Sequence, residues 1–260
     1  METTKSADGT AIAFDRVGTG PALVVVNGAL STRAALTAPA SLARKYTVVT
    51  YDRRGRGDSG DTEPHAVERE YEDLAAVAAA AAGSQPPFVF GHSSGGALAL
   101  RAAAAGLPVA AVAAYEAPFP NDDAPSAETD PRPELRRLIA AGRDRDAVKF
   151  WMTDVVRAPE QVTAKLDSAG WVTALEPLAR TLPYDVALAR DGVPADELAR
   201  ITAPVLIMGG ADSPAWFRRS VAEQAAAVPG AQLTMVEGYA HTVPVEVIAP
   251  LLADFFDAHR

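Results

Sequence analysis

Three side chains far apart in the 260 residues have the types needed to attack a carbonyl carbon: Ser93, His241 and a carboxylate, either Asp212 or Glu116. A serine hydroxyl is a poor nucleophile at neutral pH and needs a base within about 3 Å to take its proton as it attacks. Histidine can do this near pH 7, where an ordinary imidazole is largely neutral. The chain has four histidines. His259 sits next to the C-terminus and His65 in the first turn of an expected helix, so both read as solvated. His92 adjoins Ser93 and either lines a pocket or packs behind it. His241, in a loop after a strand pattern, is the expected base. Asp212 would bond the far ring nitrogen, fix the tautomer and stabilise the imidazolium. Its bland alternative is a helix cap, since Ser213-Pro214 opens a helix. Glu116, just past the preceding strand, is the rival acid.

Gly91-His92-Ser93-Ser94-Gly95 is G-x-S-x-G, a nucleophile-elbow pattern when a strand precedes it and a helix follows. The apolar run 88–90 reads as that strand, and the alanine-rich run 97–105 as that helix. The glycines let the chains on either side of a strained serine pass closely. An ordinary Gly-Ser loop is the alternative reading of the pentapeptide alone.

The surrounding elements alternate. Strand patterns fall at 11–17, 22–26, 46–51, 88–90, 109–115, 204–210 and 232–236. Helix patterns fall at 32–45 (interrupted by Pro39), 64–82, 97–105, 214–228 and 243–258. Such alternation implies an α/β fold: a mostly parallel twisted sheet with helices on both faces. It breaks at Pro118. Residues 121–133 read as a loop, and helices are expected near 134–141, 144–156, 159–167 and 169–182. The organisation expected is a core from 1–118 and 199–260, with 119–198 a helical cap inserted between two sheet strands. Ligands of open α/β sheets gather at the carboxyl ends of the strands. The polar residues just past the strands are Asn27, Asp52, Ser93, Glu116, Asp212 and His241. Arg53, Arg54 and Arg56, beside Asp52, Asp58 and Asp61, read as a solvated, self-paired loop.

In four segments the chain resembles the α/β-hydrolase fold superfamily, its serine-nucleophile, esterase- and haloperoxidase-like branch. Residues 27–29 stand where that family has His-Gly and an oxyanion-hole residue, with Asn27 replacing the histidine. Residues 51–59 are similar to its D-x-R-G-x-G-x-S loop. The elbow is the third match, and the 209–212 and 238–241 loops the fourth. Ser93, Asp212 and His241 follow the family's order of nucleophile, acid and base. The resemblance implies a Ser93–His241–Asp212 triad, with Glu116 as alternative acid and the backbone N–H groups of Ala29 and Ser94 as the oxyanion hole. It implies hydrolysis of a carboxylic ester, thioester or lactone through an acyl-enzyme. Haloperoxidase, perhydrolase or tailoring reactions with the same triad are the alternatives, as is a non-catalytic binding protein on the same scaffold. Pocket candidates are Asn27, His92, Trp151, Trp171 and Tyr184. The apolar, aromatic cap favours an apolar small molecule.

Bulk composition bounds the rest. At 48% hydrophobic and 22% charged residues the chain is globular. A net charge of −9 argues against nucleic acid or anionic membrane as partner. The absence of cysteine excludes disulfides and thiolate chemistry. No cofactor and no metal are expected. The first five residues lack an apolar core, and no apolar run approaches the roughly 18 residues of a membrane span, so a cytoplasmic location is expected. Nothing in the sequence indicates an oligomeric state.

Overall fold

The β-branched and alanine-rich runs form one eight-stranded sheet. The computed structural model describes residues 1–35, 40–83, 85–124, 130–189 and 191–260. The strands are β1 (Glu2–Lys5), β2 (Ala11–Gly18), β3 (Ala22–Val26), β4 (Thr47–Tyr51), β5 (Phe88–His92), β6 (Ala111–Tyr115), β7 (Val205–Gly210) and β8 (Gln232–Val236). Their spatial order is β1-β2-β4-β3-β5-β6-β7-β8. β1 and β2 pair antiparallel to their neighbours, and every other pair is parallel. β3, β6 and β7 are buried at every position, as strands covered on both faces must be. β1 was not expected: four residues of polar, exposed pattern carry no strand signal, and the element exists through its register with β2.

Helices cover both faces: α1 (Ala40–Ala43), α2 (Val67–Ala81), α3 (Ser94–Ala104), then six helices of the insertion, then α10 (Ala215–Ala227) and α11 (Val245–Asp257). One apolar layer joins Val24, Val89 and Val112 of the sheet to Leu98 of α3 and Val221 of α10. The other joins Phe88, Phe90 and Tyr115 to Leu42 of α1 and Phe256 of α11. Of the helix expected over 32–45, only α1 forms among the described residues; 33–35 and 44–45 are turns or bends, Pro39 and its neighbours at 36–38 lie outside the described residues, and so do 125–129 of the expected loop.

Among the described residues, only helices lie between β6 and β7. They are α4 (Arg132–Ala140), α5 (Asp144–Phe150) continuing as a π-turn over Trp151–Val155, α6 (Glu160–Thr163), α7 (Gly170–Leu175), a 3₁₀ stretch Glu176–Thr181, α8 (Leu182–Ala189) and α9 (Ala195–Leu198). The helix expected over 169–182 is divided differently. Pro183 lacks an N–H and suits a first helical turn, so a new helix, α8, starts there. The insertion has its own apolar cluster, Leu135, Val148, Trp151, Val172, Leu178 and Leu182 among others, and Leu30 from the loop after β3 belongs to it. Among the described residues no helix is long and apolar enough to cross a membrane.

Candidate active site

Ser93 stands at the junction of β5 and α3 with φ 56° and ψ −130°. A non-glycine residue rarely holds such an angle, and here the neighbours enforce it. The Ser93 N–H donates to Tyr115 O at 2.9 Å. A Cβ on Gly91 would collide with the backbone of Gly95, and one on Gly95 with the carbonyl oxygens of Val26 and Asn27. The two motif glycines are therefore required by close approach, as the sequence pattern implied.

The imidazole of His241 lies between Ser93 and a carboxylate. His241 Nε2 is 3.0 Å from Ser93 Oγ, and His241 Nδ1 is 2.9 Å from Glu116 Oε2. The carboxylate bonded to His241 is thus Glu116 and not Asp212, where the sequence placed it first. Glu116 follows β6, takes a left-handed φ of 47° and is 1% exposed. Its Oε1 accepts the Gly210 N–H at 2.9 Å and the Ser213 hydroxyl. Burial would raise its pKa, but hydrogen bonds from His241 and Ser213 outweigh this and hold it below the usual carboxylate range. Asp212 is exposed, and its N–H donates to Tyr239 O at 2.9 Å. Among the described residues no hydrogen bond or ion pair joins its carboxylate to His241, nor does it cap α10. Asp212→Asn is accordingly expected to keep kcat/KM within about threefold, measured alongside the Glu116 variant described in the Discussion.

The loop carrying His241 is clamped from below. Tyr115 Oη donates to Ala240 O at 2.6 Å, and His92 Nε2 donates to His241 O at 3.0 Å. His92 stacks on Tyr115 with ring centroids 5.9 Å apart, so it packs behind the His241 ring. Phe217 stacks on the His241 ring itself at 5.5 Å. Burial, and then the neighbouring His241, push the His92 pKa down to about 4. The unfolded chain then binds more protons than the folded one between about pH 6.5 and 4, so this contribution to stability is full above that window and is lost as pH falls through it. Chemical denaturation should show a loss on the order of 2 kcal/mol between pH 7 and 4.5, and His92→Gln, which keeps a donor for His241 O, should flatten the slope.

Gly28 passes directly over the elbow: a Cβ there would lie 2.9 Å from Ser93 Cβ. Beside it, the Ala29 N–H and the Ser94 N–H at the start of α3 have no protein acceptor among the described residues. Asn27 is 2% exposed and its Nδ2 donates to Thr32 O at 2.9 Å, so it shapes the loop.

The remaining pocket candidates scatter. Trp151 packs in the apolar cluster of the insertion against Leu30, and Trp171 is 43% exposed. Tyr184 bonds Asp61 and Glu63 and stacks on His65 at 3.7 Å, lining a separate cleft of about 730 Å³ between the insertion and the 61–67 segment. His65 is correspondingly covered, with Nε2 3.3 Å from Glu70, where solvation was expected. His259, also expected in solvent, lies partly buried with Nδ1 2.7 Å from Phe255 O. The three arginines expected in a solvated, self-paired loop are instead buried. Arg53, Arg54 and Arg56 are at most 2% exposed. Arg54 pairs with Asp73, and Arg53 with Glu70 and Asp185. Arg56 pairs with Asp185. The partners come from 17 or more positions away, so local charge balance along the loop misled. Among the described residues no group of three or more histidines, aspartates and glutamates is placed to hold a metal ion.

A family model described as the alpha/beta hydrolase family matches residues 23–250. The structure is similar to the crystal structure of an alpha/beta hydrolase from Sphaerobacter thermophilus DSM 20745, with a TM-score of 0.91 and 47% identity over 98% of this chain and 100% of that one. It shares its fold with the esterase RhEst1 from Rhodococcus sp. ECU1013, at TM-score 0.68 and 21% identity over 98% of each chain. The same holds for the enol-lactonase from Burkholderia xenovorans LB400, at TM-score 0.72 and 20% identity over 98% of this chain and 100% of that one. No curated protein matches the chain.

Proposed function

The chain belongs to the alpha/beta hydrolase family, and from that premise we propose that it is a serine hydrolase of carboxylic esters, working through an acyl-enzyme. One observation carries the reading: Ser93 Oγ, His241 and Glu116 form a continuous hydrogen-bonded line of 3.0 and 2.9 Å. In that line His241 takes the hydroxyl proton as Ser93 attacks the ester carbon, and later returns it to the leaving alcohol. Glu116 fixes the Nδ1–H tautomer and stabilises the imidazolium. The N–H groups of Ala29 and Ser94 receive the charge that develops on the carbonyl oxygen. Water then attacks the acyl-enzyme along the same route.

The substrate is proposed to be a small molecule with an apolar acyl part. Residues 119–198 act as a lid in this reading. Support comes from the apolar cluster of Trp151, Leu178 and Leu182, which packs on Leu30 and Ala29 beside the elbow. Phe217 adds an aromatic wall against His241.

Rapid mixing with p-nitrophenyl esters of increasing acyl length tests the proposal. The expected result is a burst of p-nitrophenolate equal to the enzyme concentration, followed by slower turnover. kcat/KM should rise with acyl length before falling. Absence of turnover across the series, or turnover that Ser93→Ala leaves unchanged, would remove the reading.

A further inference from the structure

A buried charge network touches the site at two places that the Ser93–His241–Glu116 line does not use. Arg53, Arg56, Glu70 and Asp185 are each at most 2% exposed. Arg53 grips Glu70 through two bonds of 2.6 and 2.9 Å. Asp185, on α8, accepts Arg53 Nη1 at 2.8 Å and Arg56 Nη2 at 2.8 and 2.9 Å. It also accepts the Ser94 hydroxyl at 2.7 Å. The remaining donors of Arg56 reach Thr181 Oγ1, at 3.1 Å from Nε, and Gly28 O, at 2.7 Å from Nη1.

We propose that Arg56, held by Asp185, is a positioning residue that sets the direction of the oxyanion-hole N–H of Ala29. The proposal rests on the serine-hydrolase reading above. Its basis is the peptide plane. In a trans peptide the carbonyl and the following N–H point to opposite sides of one rigid unit. The guanidinium on Gly28 O therefore fixes where the Ala29 N–H points, and Gly28 lies directly against Ser93. Rotation of that peptide would swing the N–H away from the developing oxyanion, where donor distances of about 2.7–3.1 Å matter. The same carboxylate is one bond from Ser94, whose N–H is the second donor, so Asp185 ties the insertion to both halves of the hole.

A rival role for a buried arginine beside an active site is binding a substrate anion. Here the two guanidiniums meet two carboxylates, and all three faces of the Arg56 fork are already engaged. The fork geometry is also what lysine lacks: a single ammonium keeps the charge but cannot span Thr181, Asp185 and Gly28 O together.

Arg56→Lys and Asp185→Asn test this, with folding checked by thermal melting and two readouts that a general loss of packing does not produce. For Arg56→Lys, kcat on a p-nitrophenyl ester should fall roughly 10–100-fold, a fraction of the loss of a whole oxyanion donor, with KM within about twofold. The inhibition constant of a matched trifluoromethyl ketone, whose adduct carries the oxyanion, should rise by the same factor. Asp185→Asn should move both quantities in the same direction by a smaller factor, and it keeps the test alive if the lysine variant does not fold. A folded variant with native kcat and native ketone affinity overturns the proposal, as does a loss confined to KM, which would assign Arg56 to substrate binding. The two failures are distinct: turnover that does not depend on Ser93 in the native chain overturns the hydrolase reading instead.

Discussion

Glu116→Gln lowers kcat/KM by about 10³–10⁴, a loss of roughly 4–5 kcal/mol of transition-state stabilisation. Glutamine is nearly isosteric, and its carbonyl can still accept from the Gly210 N–H and the Ser213 hydroxyl that hold the carboxylate now. The fold therefore survives. The amide group, however, faces His241 Nδ1 in place of the oxygen that accepts the ring proton at 2.9 Å. A donor there forces the ring proton onto Nε2, and the nitrogen facing Ser93 Oγ can no longer take the hydroxyl proton. Steady-state kinetics with melting temperatures within a few degrees of the native chain would check this. Asp212→Asn, compared in the same assay, should remain near native; the opposite ranking would return the acid to Asp212.

Ser93→Ala removes the proposed nucleophile, and kcat should fall by about 10⁶. His241→Ala should cost nearly as much, because a serine without a base 3.0 Å away stays protonated during attack. The double variant should be no slower than either single one, since the two residues act as one unit. Additive losses would mean that they work in separate steps. Substrate binding should change little in any of the three, measured as KM or by equilibrium titration with a non-hydrolysed ester analogue.

Much of this site could be read from residue order because the physics behind it is local. The G-x-S-x-G turn needs small residues at fixed offsets from the serine, and the structure shows the collisions that any Cβ at Gly91 or Gly95 would bring. His241 could be picked out as the ring beside Ser93 because it follows a strand pattern, and its Nε2 lies 3.0 Å from Ser93 Oγ. The acid could not be settled the same way. Glu116 and Asp212 each follow a strand, and β6 and β7 are adjacent in the sheet; Glu116 reaches His241, and the Asp212 N–H donates to Tyr239 O two residues before it. Either satisfies the order of nucleophile, acid and base. What separates them is the left-handed turn at Glu116 and the exposed position of Asp212, neither of which residue type reveals.

The buried arginines illustrate the complementary limit. Arg53 and Arg56 sit among aspartates that are neighbours in sequence, yet their partners are Glu70 from α2 and Asp185 from α8. A charge that is buried must find a partner in space, and sequence separation of up to 132 residues hides which one it is. β1 escaped notice for a related reason, since its identity as a strand lies in its pairing with β2 rather than in its own residues.

In the proposed reaction Ser93 is a hydroxyl activated by His241. The most direct test is reaction of the intact protein with a fluorophosphonate, followed by whole-protein and peptide mass spectrometry. A single adduct is expected on the peptide containing Ser93, formed rapidly in the native chain and lost in His241→Ala. A native chain that takes up no adduct, or takes it up on another residue, would contradict it.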